Sequence, residues 1–131
     1  MGLAPSLTAW LFGRPVALPT ELLRVYPELR EARWRRGGLP PRVGGAFLGR
    51  ASVRGITLWR TVFLADGARL DAELLLHELG HVRQFVGSQA FPLRYIVESL
   101  LHGYARNRYE HDAQAFAEDR LRTARYHSTD V

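Results

Sequence analysis

The second half of the chain carries apolar side chains at helical spacing. After Asp71 they recur every three or four residues without an intervening proline, which predicts a helix that Asp71 caps and Gly87 ends. Pro92, at a first-turn position, predicts a second helix over 92–101. The same periodicity predicts a third helix over 107–125. The carboxyl-terminal half is therefore expected to be helical.

The first half carries the shorter patterns that are typical of strands. Within residues 31–36, Ala32 and Trp34 alternate with arginines, which is the period of a half-buried strand. Residues 47–64 are rich in β-branched and aromatic side chains and predict two strands, or one bent strand. These segments together predict a small sheet.

Residues 1–19 have a different composition. They contain three prolines, which prevent a long helix, so we expect an irregular amino-terminal arm followed by a short helix that Thr20 caps. No stretch suggests a linker that would divide the chain, and 131 residues fit a single domain over 1–131. Strands first and helices afterwards predict an α+β fold.

The composition limits the chemistry that the chain can perform. There is no cysteine, so disulfides, thiolate nucleophiles and cysteine-based zinc sites are excluded. Any metal must be held by histidine, aspartate or glutamate. All 18 basic side chains are arginines and the net charge is +5, but the densest cluster, at 30–36, is interleaved with Glu28 and Glu31. We expect no nucleic-acid partner.

No apolar stretch reaches the ~20 residues that a membrane-spanning helix needs. The uncharged segment 3–12 has no basic residue before it, which makes it a poor match to a secretory signal. We therefore expect no membrane partner and a cytoplasmic location.

One motif within the first predicted helix carries specific chemistry. In His77-Glu78-Leu79-Gly80-His81 two imidazoles one turn apart project from the same helix face, a spacing that suits one zinc ion. Zinc with an open position activates water, and Glu78 would be the general base. The alternative is a pair of exposed histidines with Glu78 in an ordinary interaction with Arg83. Histidines facing a sheet would need buried partners, which favours the metal.

A third metal ligand is expected on a later helix. Glu110 is our choice, because Ala113 three residues further on is small enough for a close approach of the two helices. His111 is the alternative ligand, and Glu110 could instead complete a capping box with Asn107. The acidic and histidine residues downstream of the motif are His102, Glu110, His111, Asp112, Glu118, Asp119, His127 and Asp130.

These residues together resemble a small gluzincin-type zinc metallopeptidase domain. The similarity covers about residues 45–121 and rests on three segments, 77–84, Gly103-Tyr104 and 107–113. It implies a minimal zincin fold, in which an edge strand, here Ile56–Leu64, pairs with an extended protein or peptide substrate. It also implies zinc as the cofactor, with these roles: ligands His77, His81 and Glu110, and general base Glu78.

The resemblance leaves two parts of the site open. Gln114 stands where many gluzincins have an acidic residue that orients a ligand histidine, so the support of that ligand is in doubt. The clan often uses a tyrosine or histidine to stabilise the oxyanion, and we predict Tyr104 for this role. The other candidates are Tyr95, His102 and Tyr109.

Two further resemblances concern the biological setting. Residues 110–117 are similar to a helix of regulatory proteases that cleave phage or stress repressors, and the segment 82–109 resembles metallopeptidase-like domains associated with contractile injection systems and toxins. The alternative to an enzyme is an inactive zincin-like scaffold with a structural zinc. Because the chain is short, we hypothesise that substrate selection relies on the arm over 1–19, on a homodimer or on a partner protein.

Overall fold

A small mixed sheet followed by three longer helices forms the protein, in a computed structural model that describes residues 7–41 and 54–129. The elements are α1 (Leu7–Phe12), β1 (Arg14–Pro15), α2 (Thr20–Val25), a 3₁₀ helix (Pro27–Glu31), β2 (Arg33–Arg36), β3 (Gly55–Leu58), β4 (Thr61–Leu64), α3 (Ala72–Gly87), α4 (Phe91–His102), a second 3₁₀ helix (Tyr104–Arg106) and α5 (Arg108–Thr129). This order confirms the predicted α+β class.

The sheet has the strand order β1-β2-β4-β3. Strands β2 and β4 are parallel, and the other two pairs are antiparallel. The edge strand expected over Ile56–Leu64 is therefore only partly correct, because this segment forms two strands, of which β3 lies at an edge of the sheet and β4 is internal. The chain reverses between them at Trp59, which has a φ of 55°. Residues 47–53 of the predicted strand region lie outside the described residues.

The described part of the amino-terminal arm is more regular than its prolines predicted. After the short helix α1, strand β1 pairs with β2, and the guanidinium of Arg35 donates hydrogen bonds to the carbonyls of Phe12 and Gly13. Pro15 is tolerated in β1 because the strand lies at a sheet edge, where a missing N–H is not needed. Proline prevents a long helix here but permits short elements.

Two boundaries in this region differ from the sequence prediction. Helix α2 begins at Thr20 itself, so Pro19 occupies the cap position and makes no side-chain cap. Strand β2 begins at Arg33, because residues 27–31 form a 3₁₀ helix with Pro27 at its start. Both differences are shifts of one or two residues at element ends.

The basic cluster at 30–36 contributes to the fold. Nη1 of Arg36 donates to the carbonyls of Ala65, Asp66 and Ala68, at distances of 2.8–3.0 Å. This guanidinium therefore fixes the turn that follows β4. The expectation that the chain binds no nucleic acid stays a prediction.

Helix α3 lies between the sheet and α5 and carries the centre of the core. The Asp71 carboxylate accepts a hydrogen bond from the N–H of Leu74 at 2.8 Å, which confirms the predicted cap. One face of the helix is completely or almost completely buried, through Leu75, Leu76, Leu79 and Val82. The helix orientation that buries this face also fixes where its two histidines point.

Helices α3 and α5 approach closely at Gly80 and Ala113. A Cβ atom on Gly80 would lie 3.0 Å from the Cα and 3.1 Å from the Cβ of Ala113. Ala113 is itself buried. The expectation that a small residue at 113 permits a close helix approach is confirmed.

We expect Gly80→Leu to destabilise the protein by about 1–3 kcal/mol, because the added side chain would overpack a contact with helix backbone. The control is Gly87→Ala on the same helix, where a Cβ would meet no atom within 4 Å. Chemical denaturation of the two variants measures the difference. Equal midpoints for Gly80→Leu and the unaltered chain would contradict the close packing.

No helix in the described part of the chain combines the length and the hydropathy that crossing a bilayer requires.

Candidate metal centre

The structure brings two histidines of α3 and one glutamate of α5 together. Nε2 of His77 lies 2.9 Å from Oε2 of Glu110, and Nε2 of His81 lies 3.1 Å from Oε1 of the same carboxylate. One ligand atom from each residue lies within 4.8 Å of the others, so the group could hold a metal ion. All three side chains are largely buried.

Asn107 fixes the start of α5, the helix that carries Glu110. Its Oδ1 accepts from the N–H of Tyr109 at 2.8 Å, and its amide donates to Oγ of Ser99 at 2.8 Å. Asn107 thus caps the helix alone, as an N-cap residue does. The Glu110 carboxylate faces the histidines instead of completing a capping box.

The other candidate ligands do not join this group. The alternative ligand, His111, bonds through Nε2 to the carbonyl of Ala105 at 2.8 Å on the surface. His102 is exposed and lies 3.9 Å from Glu98. Among the side chains that the structure describes, at 7–41 and 54–125, His77, His81 and Glu110 form the one group with suitable geometry. The side chain of His127 and residue Asp130 lie outside the described part of the chain.

Two glutamines orient the histidine rings. Oε1 of Gln114 lies 2.9 Å from Nδ1 of His77, and Oε1 of Gln84 lies 2.8 Å from Nδ1 of His81. An amide oxygen only accepts hydrogen bonds, so each Nδ1 carries a hydrogen. Each Nε2 then faces Glu110, which is the arrangement that metal-binding histidines adopt.

Gln114 also connects His77 to acidic side chains, although position 114 itself is not acidic. Its Nε2 donates to Oε1 of Glu73 at 2.9 Å and to Oε1 of Glu118 at 3.2 Å. These carboxylates accept only, which fixes the orientation of the amide. The acidic support of His77 is therefore present, one hydrogen bond further from the ring.

We expect Gln114→Leu to lower the affinity for a divalent metal by about 10–100-fold, because His77 loses the partner that orients its ring. Gln114→Glu should retain most of the affinity, since a carboxylate accepts the same hydrogen bond. The control is Gln89→Leu at an exposed position between α3 and α4. Titration with Zn²⁺ against a competing indicator measures the affinities, and equal values for Gln114→Leu and the control would contradict the role.

The charges of the three groups are strongly coupled. Burial lowers the pKa of His81, but hydrogen bonding and the charge of Glu110 outweigh it and raise that pKa to about 9. The pKa of His77 is raised as well, because its hydrogen bond to Glu110 opposes the effect of burial. Burial raises the pKa of Glu110, yet the two histidines hold it well below the usual range. The site thus holds an ionised carboxylate that can face a cation.

Glu78 lies next to the ligand group but does not belong to it. Its side chain is nearly buried, with 5% of the residue exposed, and its Oε2 accepts a hydrogen bond from the Thr57 hydroxyl at 2.7 Å. A Cβ on Gly55 would lie 3.1 Å from Oε1, so glycine leaves room for the carboxylate. Strand β3 therefore fixes Glu78 from the sheet side.

A cleft of about 210 Å³ connects Glu78 with the ligand group. Strand β3 and helix α4 form its two sides. Most of its lining is apolar: Ile56, Leu58, Phe85, Phe91, Pro92 and Ile96.

The structure places some of the residues predicted to stabilise the oxyanion in the cleft and others outside it. Tyr104 and Tyr95 both line the cleft. The Tyr95 hydroxyl donates to Oε1 of Glu110 at 2.6 Å, and burial raises its pKa above the usual range, so it stays a neutral donor. Tyr109 packs its ring against Phe91, and His102 is not among the residues that line the cleft.

Sequence reasoning missed several supporting residues. Thr57 contacts Glu78 from another element, so no local spacing predicts it. Tyr95 was named only as an oxyanion candidate, and its hydrogen bond to Glu110 was not predicted. Gln84 had a signal, because it follows His81 by three residues and lies on the same helix face.

Comparisons with models of protein families, with curated proteins and with solved structures found no match. The geometry of the site therefore carries the functional argument.

Proposed function

We propose that the chain is a zinc-dependent metallopeptidase of the gluzincin type. The observation that carries the proposal is the position of Glu78, which lies beside the group of His77, His81 and Glu110 and faces the same cleft. A group that can hold a metal, a carboxylate outside that group and an open cleft are the parts that metal-assisted hydrolysis needs.

The residues present fit a zinc ion. Two imidazole nitrogens and one carboxylate are a donor set that catalytic zinc sites use. The group has three protein ligands within the described residues, whereas a structural zinc site has four. A zinc ion held there supplies Lewis-acid activation of water at neutral pH.

Glu78 is the proposed general base and acid. The Thr57 hydroxyl occupies Oε2, while Gly55 leaves space at Oε1. The carboxylate accepts a proton from the attacking water and returns it to the nitrogen of the departing amine. We propose that the Tyr104 hydroxyl donates to the oxyanion, because Tyr104 lines the cleft together with Glu78 and Glu110.

Strand β3 is suited to hold an extended substrate. The N–H of Ala65 donates to the carbonyl of Arg54 at 2.9 Å, which makes these residues a hydrogen-bonded pair. In an antiparallel ladder such pairs alternate, so the backbone groups of Gly55 and Thr57 point away from β4. A peptide can add to this edge beside Glu78.

The scaffold alternative has less support. A structural zinc has no need of a buried carboxylate that faces a cleft beside the ligands, and Glu78 is such a group. The burial of an ionisable side chain costs free energy and is typical of functional sites.

We expect the zinc-loaded chain to cleave peptides from a mixed library, with new termini detected by mass spectrometry. A zinc chelator should abolish cleavage and added zinc should restore it, because the three ligands act only through the metal. Cleavage that persists in chelator would contradict the mechanism. Full zinc occupancy without any cleavage would favour the scaffold.

A further inference from the structure

We infer that the cleft selects a large apolar side chain of the substrate, and that the outer face of α4 binds the apolar residues that flank it. The inference rests on the proposed function and names its substrate class: polypeptide segments rich in leucine, methionine or phenylalanine.

The chemistry of the walls supports an apolar side chain. Phe85 comes from α3, Phe91 and Ile96 come from α4, and Leu58 comes from β3. The ionisable groups among the lining residues are those of the reaction site and the two tyrosines. A charged substrate side chain would therefore lose its water without gaining a partner on these walls.

The size of the cleft indicates one side chain. Its volume of about 210 Å³ is below the range of roughly 300–1,000 Å³ typical of pockets that enclose a whole small molecule. The Phe85 ring contacts Phe91 at a centroid distance of 4.6 Å and Trp59 at 5.4 Å. These aromatic contacts join the hairpin tip, α3 and α4 into one wall.

After Phe91, which is buried, helix α4 makes polar contacts on its inner side. The Tyr95 hydroxyl bonds Glu110, and Ser99 accepts from the Asn107 amide. A row of apolar residues lies on the other side, where the exposed fractions are 66% for Leu93, 47% for Ile96 and 73% for Leu100. Their spacing of three and four residues places them in one row.

Ile96 connects this row to the cleft, since it belongs to both. A substrate that occupies the cleft therefore continues along the row without crossing a polar boundary. Exposed apolar surface of this kind marks an interaction site. We assign it to the substrate because of this continuity with the cleft.

The test uses two hydroxamate probes that bind zinc without being hydrolysed, N-acetyl-leucine hydroxamate and N-acetyl-aspartate hydroxamate. Calorimetry on the zinc-loaded chain should show at least about tenfold tighter binding of the leucine probe, in line with the discrimination of apolar pockets. In Ile96→Asp this preference should disappear. Leu7→Asp, at an exposed apolar position on α1, should retain it.

Equal binding of the two probes, or a preference unchanged in Ile96→Asp, would overturn the cleft assignment. Hydrolysis without apolar preference would overturn this inference and leave the proposed function standing. A retained preference without hydrolysis would overturn the proposed function and leave this inference standing.

The α4 row is tested with a Leu93→Ser/Leu100→Ser double variant. It should bind the leucine probe normally but lose affinity for long apolar peptides. Peptide binding is measured in chains that also carry Glu78→Gln, which prevents cleavage. Sedimentation of the unaltered chain is the second measurement. A dimer that this variant dissociates would assign the row to a second copy and overturn its role in substrate binding.

Discussion

Glu78→Gln is expected to abolish peptide hydrolysis while the zinc remains bound. Glutamine has nearly the same shape and can still accept the hydrogen bond of Thr57, so the fold and the ligand group should be preserved. It cannot take a proton from water, and loss of a general base reduces rates by about 10²–10⁴-fold.

Cleavage rate and zinc content should be measured on the same preparation. The matched control is Glu21→Gln, which changes an exposed glutamate that pairs with Arg24 on α2. We expect this control to cleave normally. A Glu78→Gln chain that cleaves as fast as the control would refute the proposed mechanism, whereas loss of zinc in Glu78→Gln would mean that Glu78 supports the metal.

Glu110→Ala is expected to lose the metal. The carboxylate contacts the Nε2 atoms of both His77 and His81, so its removal leaves two ligands on a single helix. Substitution of a residue that orients a metal ligand lowers the metal affinity by about 10–100-fold, and loss of a ligand itself should lower it further.

Plasma mass spectrometry of protein purified without added metal measures this effect. About one zinc per chain is expected for the unaltered protein. His111→Ala is the matched control, because His111 is adjacent in sequence but bonds the carbonyl of Ala105. Circular dichroism verifies that both variants are folded. Retention of zinc in Glu110→Ala together with its loss in His111→Ala would transfer the ligand role to His111.

Local patterns predicted the helical half of the protein and its site. Helix α3, its cap at Asp71 and the spacing of His77 and His81 all follow from short-range periodicity. The close approach of the two helices at Ala113 was also predicted, because a small residue at this position permits it, whereas its contact with Gly80 was not.

The strands were harder to place because their pairing depends on distant residues. Strand β1 has two residues and therefore no period, and its position follows from its pairing with β2. The turn at Trp59 uses a positive φ without glycine, so the sequence over 56–64 gave no sign that the strand reverses. The result was a predicted edge strand that is in fact a hairpin.

The hydrogen-bond partners of the two histidines could not be assigned from the sequence. Gln114 was noted as a departure from the acidic residue of the resemblance, yet its hydrogen bonds to His77 and Glu73 join α5 to α3. Sequence spacing describes one helix at a time, whereas these bonds depend on how helices pack.

The contact of Gly80 with Ala113 bears on the ion selectivity of the proposed metal site. Gly80 directly precedes His81, and Ala113 is one turn beyond Glu110, so the distance between the helices sets the distance between the nitrogen and oxygen donors. Zinc requires bonds of about 2.0–2.2 Å and calcium about 2.3–2.6 Å. For the proposed zinc site we therefore expect the two small residues in the helix interface to favour the smaller ion, so that selectivity would depend on backbone packing as well as on the donors.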